Sequence, residues 1–426
     1  MNARYLITGG LLRYGLLMGW LLLGHGLTAQ IIYVAAGARG AATGCTWADA
    51  YPSLSAALAH PFPIREIRVA SGTYYPTADA RDRTAAFRLR NGVAIRGGWG
   101  GWEPADYPLD ARDFERYETI LSGDIDRNDA TGHTAGNSHH VVYNGPGPGP
   151  APDSTAVLDG FTVRGGRADG RRAPHNRGGG VYNAHAHPTF RNCRFTQNNA
   201  DYGGGMYNHA ASPVLENCIF EANAARYPGG GMRNLAGAAP RLLNCRFVAN
   251  RSADDGGGMA NRAATPRLVN CLFAENYSAT CGGGMHNYEA APALVNCTFV
   301  ANRAAQRGGA VHNLTAAPRL VNCLLWDNGT EITVEAPCAL PDVRYSLVAD
   351  RQPYPGVGNR HADPRLGSRG TERYRPAPGS PALDAGLAGV NDSRNDPDGA
   401  PRYHGRIDLG AYEATPGRAY AGTILP

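Results

Sequence analysis

The chain has 426 residues, a formal charge of +5 and 56 glycines, about twice the usual glycine share. The glycine has no collagen period, and acids and bases are interspersed, which excludes a basic stripe suited to nucleic acid. All 41 basic residues are arginine, so lysine is excluded as a catalytic base.

In chain order, residues 1–29 read as a secretory signal peptide. Arg4 and Arg13 give a positive n-region, residues 14–23 are apolar, and Leu27-Thr28-Ala29 is a small-residue cleavage site. Arg13 leaves the apolar run too short to span a bilayer. Loss of this segment, with two arginines and no acids, lowers the charge to +3. The expectation is a protein that is secreted or held at the outer cell surface and does not span a membrane after cleavage.

Residues 30–64 read as an N-terminal cap. A strand covers residues 31–34. Trp47, Tyr51, Leu54 and Leu58 then share one face of a helix, with Pro52 in its first regular turn. Such a helix covers the apolar end of a stacked array. Strands are expected over residues 66–70, 86–89, 93–95 and 119–121. Next, Asp124, Asp126, Asn128 and Asp129 imitate the start of a calcium loop, although Asp129 and Ala135 stand where that loop needs Gly and Glu. Acids and amides satisfying turn amides give the same pattern without metal.

From Gly178 to Asn328 one unit repeats six times. Each copy opens Gly-Gly-Gly or Gly-Gly-Ala, then an aliphatic residue, a variable residue and Asn. It closes Asn-Cys-x-Phe-x-x-Asn, with Leu325 in place of Phe in the last copy. The opening asparagines are Asn183, Asn208, Asn234, Asn261, Asn287 and Asn313, a period of about 26 residues. In residues 213–220, Leu215 points inward and Glu216 outward, yet Cys218 and Phe220 both point inward. The alternation slips at Asn217, which marks a one-residue corner in the left-handed region. Two strands meet at that corner, and the glycine-rich opening supplies a third. Three short strands per coil, with like residues stacking on like, define an all-β parallel β-helix over residues 65–350, most regular over 156–330. Corner asparagines stack into amide ladders, and Phe195, Phe220, Phe247, Phe273 and Phe299 stack inside. The six repeat cysteines, from Cys193 to Cys323, would lie about 4.8 Å apart with parallel Cβ vectors, which suits buried free thiols better than disulfides. Cys45, Cys281 and Cys338 lie outside this ladder. Residues 351–426 form an irregular C-terminal cap, with Ser380-Pro381 reading as a helix start.

The Gly-Gly-Ala/Gly-aliphatic openings and Phe-x-x-Asn closings resemble the repeats of polymorphic outer-membrane proteins. More broadly, they resemble right-handed β-helices of the pectate-lyase-like superfamily. Residues 32–34, 70–74, 97–99 and 120–124 are similar to secreted bacterial members of that group. Residues 380–386 and 408–413 resemble the segment called choice-of-anchor Q. The resemblance implies a right-handed solenoid and export. In the enzymes of that group, Arg or Lys bases act on acidic polysaccharides, often with calcium.

No set of acids and bases converges in the sequence, so no catalytic residue is assigned. Asp254-Asp255, Asp201 and Glu275 fall at turns, where solvated acids are expected, and His185 and His187 lie in a loop. The variable column reads Tyr182, Tyr207, Arg233, Ala260, His286 and His312. In register it forms an exposed stripe whose rings and guanidinium suit sugars. Tyr favouring strand surfaces explains the same column without a ligand. The expected function is adhesin-like or glycan-binding and non-catalytic, with a polysaccharide or host or cell-surface glycan as partner. The alternative is a polysaccharide lyase or glycoside hydrolase. Apart from calcium at the Asp124 loop, no cofactor is expected.

Overall fold

The computed structural model describes residues 30–61, 63–335, 340–350, 352–368, 370, 373–402 and 406–414. The signal-peptide reading and Cys338 fall outside them. The chain winds into a parallel β-helix of four sheets with eleven, ten, six and eight strands, in each of which neighbouring strands come from successive coils. One coil contributes Thr189–Arg191 to sheet 1, Arg194–Thr196 to sheet 2, Asn199–Ala200 to sheet 3 and Met206–His209 to sheet 4. Sheet 3, built from two-residue strands, corrects the expected three strands per coil.

Three left-handed non-glycine positions and one glycine bend each coil. The corner asparagines 192, 217, 244, 270, 296 and 322 have φ of 50–56°, as their break in alternation predicts. The residue before the closing Asn, such as Ala222 (φ 51°) or Ala249 (φ 54°), forms a second bend. A third follows the sheet 4 strand, as at Ala236. The glycine triplets serve two needs. Gly203 takes φ +64°, and a Cβ on Gly204 would lie 2.3 Å from the carbonyl oxygen of Ala224.

Inside, Phe195, Phe220, Phe247, Phe273 and Phe299 stack with centroids 4.6–4.7 Å apart. The repeat cysteines are buried free thiols, and Cys45 and Cys281 are free as well. Cys218 Sγ lies 3.5 and 3.4 Å from the carbonyl oxygens of Phe190 and Glu216, so backbone acceptors satisfy the buried thiol. Three asparagine ladders run along the axis. In sheet 4, Asn144 through Asn313 are linked Nδ2 to Oδ1 at 2.8–2.9 Å. The closing asparagines Asn198 to Asn328 form a second chain at 2.8–3.0 Å. The corner asparagines form the third, interrupted where the C-terminal segment joins it.

Both ends depart from expectation. The helix spans only Leu54–Leu58, capped by Ser53, whose hydroxyl accepts the Ala56 N–H. Trp47 instead packs edge-on against Tyr33 and beside Trp99, because a short cap helix needs only Leu54 and Ala57 in the core. Residues 86–89 make a single bridge, Phe87 to Val142, in place of a strand. No helix follows Ser380; its hydroxyl caps a turn at Ala382. Tyr354 closes the end of the core. Residues 373–402 and 406–413 then run back along the flank. Asn391 Nδ2 bonds Asn270 and Asn296 of the corner row, Asn322 bonds the backbone of Leu387, and Ala411 N–H reaches Thr298. Buried Arg402 ties this clasp together through the carbonyl of Gly410 and the carboxylate of Glu413.

Candidate functional site

The outward position of each sheet 4 strand lies between an inward aliphatic residue and an inward ladder Asn. Parallel register therefore aligns Tyr143, Tyr182, Tyr207, Arg233, Ala260, His286, His312 and Thr333 in one row. Tyr143, Tyr182 and Tyr207 stack nearly parallel at 5.3 and 5.7 Å, and His286 stacks on His312 at 5.2 Å. Arg177 lies over Tyr207, and Arg233 over Tyr202 of the neighbouring turn.

The row is not the exposed stripe that the sequence suggests. Tyr207 is 2% exposed and His312 1%. The coil repeat is close to an aromatic stacking distance, so each ring covers its neighbour's face, and the turn residues cover the edges. Burial pushes the Tyr182 phenol up to about 12 and raises that of Tyr207. Burial takes the His286 imidazole down to about 4 against the opposing pull of Asp255, and lowers His312 against Glu335. The row is thus neutral near pH 7 except at Arg233.

Ala260, the smallest residue of the row, sits between Arg233 and His286 and opens a hollow of about 290 Å³. Its rim includes Asp255, Cys281, His286, His312 and Glu335. Asp255 Oδ2 lies 3.8 Å from His286 Nε2, while Oδ1 accepts the Thr280 hydroxyl at 2.5 Å and the Cys281 N–H at 3.1 Å. Glu335 Oε1 lies 3.5 Å from His312 Nε2 and accepts from Arg307 at 2.9 Å. The other His312 nitrogen bonds the Thr333 hydroxyl at 2.8 Å. Two imidazole–carboxylate pairs therefore flank one small space beside a guanidinium. This arrangement can exchange hydrogen bonds with vicinal hydroxyls.

Other sequence candidates lie elsewhere. Asp255, expected as a solvated turn acid, joins the hollow. Glu275 instead holds the clasp, paired with Arg373 and accepting the Tyr374 hydroxyl at 2.7 Å. His185 and His187 are exposed; His187 accepts the Ser212 N–H. In the Asp124 loop, Asp124 accepts the N–H groups of Asn128 and Asp129, and Asp126 accepts from the Asn128 amide. Among the described residues, no three His, Cys, Asp or Glu side chains gather as a metal-holding group. The sequence reading missed Glu335, which carries no repeat signature. It also missed Tyr143, although Val142-Tyr143-Asn144 repeats the aliphatic-x-Asn signal.

Residues 175–340 match the family model described as the right handed beta helix region. The crystal structure of pectate lyase Pel9A superposes with a TM-score of 0.51 at 14% identity, covering 92% of this chain and 98% of that one. No curated protein matches the chain. The molecule is therefore a right-handed parallel β-helix with a pectate-lyase-like fold. At that identity the likeness concerns architecture alone.

Proposed function

We propose that this is a non-catalytic, glycan-binding β-helix protein, exported or displayed at the outer cell surface, and that it takes a sugar at the hollow beside Ala260. The observation that carries this reading is the register-locked row that Ala260 interrupts with a small space rimmed by neutral imidazoles, two carboxylates and Arg233. Such a set pairs with hydroxyls in both donor and acceptor senses, and the hollow suits one saccharide unit better than a long chain. Because His286 is neutral down to about pH 4, binding should be level from roughly pH 5 to 8, on either side of the ordinary histidine pKa.

Binding to an immobilised glycan panel tests it. Wild type should capture at least one glycan, and His286→Ala/His312→Ala should lose it, whereas Tyr182→Ala/Tyr207→Ala should weaken it less because those rings are covered. A wild type that captures nothing overturns the reading. The two His–carboxylate pairs favour a second reading, a polysaccharide lyase or hydrolase, since a neutral imidazole beside a carboxylate can accept a proton. Release of unsaturated or reducing ends from an acidic polysaccharide panel, lost in His286→Ala, would establish that reading in place of the first.

A further inference from the structure

Buried acceptor oxygens without donors are costly, and water or a cation ordinarily satisfies them. Among the described residues, five buried side-chain oxygens lack any hydrogen-bond partner: Asp126 Oδ1, Asn128 Oδ1, Asn137 Oδ1, Ser138 Oγ and Asn176 Oδ1. Four of the five fall within residues 126–138. They gather in the loop that joins sheet 2 to sheet 4 in an early coil, where Asp124, Asp126 and Asp129 also lie.

The loop is built around this cluster. Asn137 is 1% exposed, and its side chain enters among the acids, with Nδ2 bonding both Asp129 oxygens at 3.0 and 3.2 Å and the Gly165 carbonyl at 2.7 Å. Its Oδ1 is left without a donor. Asn128 donates through Nδ2 to Asp126 Oδ2 at 2.8 Å, while Asp126 Oδ1 and the Asn128 Oδ1 stay unmet. Gly136 lets the Asp126 carboxylate pack against its Cα, and a Cβ there would push that carboxylate aside. A recess of about 380 Å³, lined by Asp129, Thr134, Asn137 and Arg167, reaches one side of this loop.

We propose that residues 124–138 bind a calcium ion, with Asp126, Asn128 and Asn137 contributing side-chain oxygens and Asp124 and Asp129 the additional negative charge. The three acids alone do not gather as a metal-holding group; the site is of mixed carboxylate and amide type, and hard oxygen ligands of that kind without regular octahedral placement suit calcium better than magnesium. The site is remote from the hollow in sequence and independent of the glycan reading.

The test is calorimetry and thermal unfolding of chelator-stripped protein with calcium chloride, with magnesium chloride in parallel. Wild type should bind about one calcium per chain, with a melting temperature that climbs with the logarithm of free calcium. Asn137→Ala and Asp126→Asn should each weaken binding by about tenfold or more, and Asn128→Asp, which adds charge without changing shape, should tighten it. Because Asn128→Asp is expected to gain affinity, a folding defect cannot imitate the predicted set. Absence of binding heat and of a melting shift up to roughly millimolar calcium overturns the proposal. Equal shifts from both cations that persist in all three variants, as charge screening would give, overturn it as well.

Discussion

At the scale of single residues, each coil keeps three non-glycine residues at positive φ, and they are not equivalent. At the corner, Asn tolerates the left-handed region and also joins a ladder. At Ala222 the side chain adds nothing in return: it is exposed, and its φ is 51°. Ala222→Gly should therefore stabilise the fold by about 0.5–1 kcal/mol, as relieved strain outweighs added freedom in the unfolded chain; urea unfolding would read this. Glu331 presents a different case. It is buried and accepts both the backbone and side-chain N–H groups of Asn328. Burial lifts its carboxyl from 4.5 to about 7. Between those values the folded state holds a proton that the unfolded state has released, so stability falls as pH rises through this window. The loss approaches about 3 kcal/mol above pH 7. Glu331→Gln should flatten that slope in unfolding curves measured from pH 4 to 8.

At the scale of elements, the rows were legible in the sequence wherever one column kept one residue type. Phe, Cys and ladder Asn recur because their partners one coil away are themselves, so the period reveals them. Sheet 3 was not legible, because two-residue strands are too short for alternation to register. Nor was the exposure of the Tyr and His column, because ring-on-ring occlusion depends on coil spacing and on Tyr202 and Arg177 from the turns. Asp255 and Glu335 were illegible as a pair: they are 80 positions apart and meet only through register. The hollow itself arises from a missing side chain. Ala260→Tyr should continue the ring row across it, leave far-UV circular dichroism and melting near wild type, and abolish glycan capture; retained capture would place the binding surface elsewhere.

At the scale of the whole molecule, contacts are made almost wholly between adjacent coils, so stability accumulates coil by coil. The clasp of residues 373–402 and 406–413 is the exception, since it joins Glu275, Asn270, Asn296 and Asn322 at once. Two deletions separate these contributions. Removing residues 209–234 joins Asn208 to Leu235 in matching register, away from the clasp. That chain should fold, with a denaturant m-value reduced by about one coil's share of buried surface. Removing residues 262–287, one equal period, takes out Asn270 and Glu275 and strands the clasp; it should unfold at clearly lower urea. Equal midpoints for the two chains would mean that the clasp contributes nothing.

The ladders also have a direction. In sheet 4 and in the closing row, every amide nitrogen donates to the coil that follows it. A chain emerging N-terminus first therefore always ends in a buried donor awaiting the next acceptor, and each new coil arrives with that acceptor in place. In the closing row only Glu331, with its two carboxylate oxygens on Asn328, ends the series without leaving a vacancy. Unequal recombination within the repeats could then lengthen or shorten the rod in whole units, because each junction donates and accepts alike, provided that the terminating carboxylate is inherited downstream. Copy number would be free to drift while the stop stays fixed.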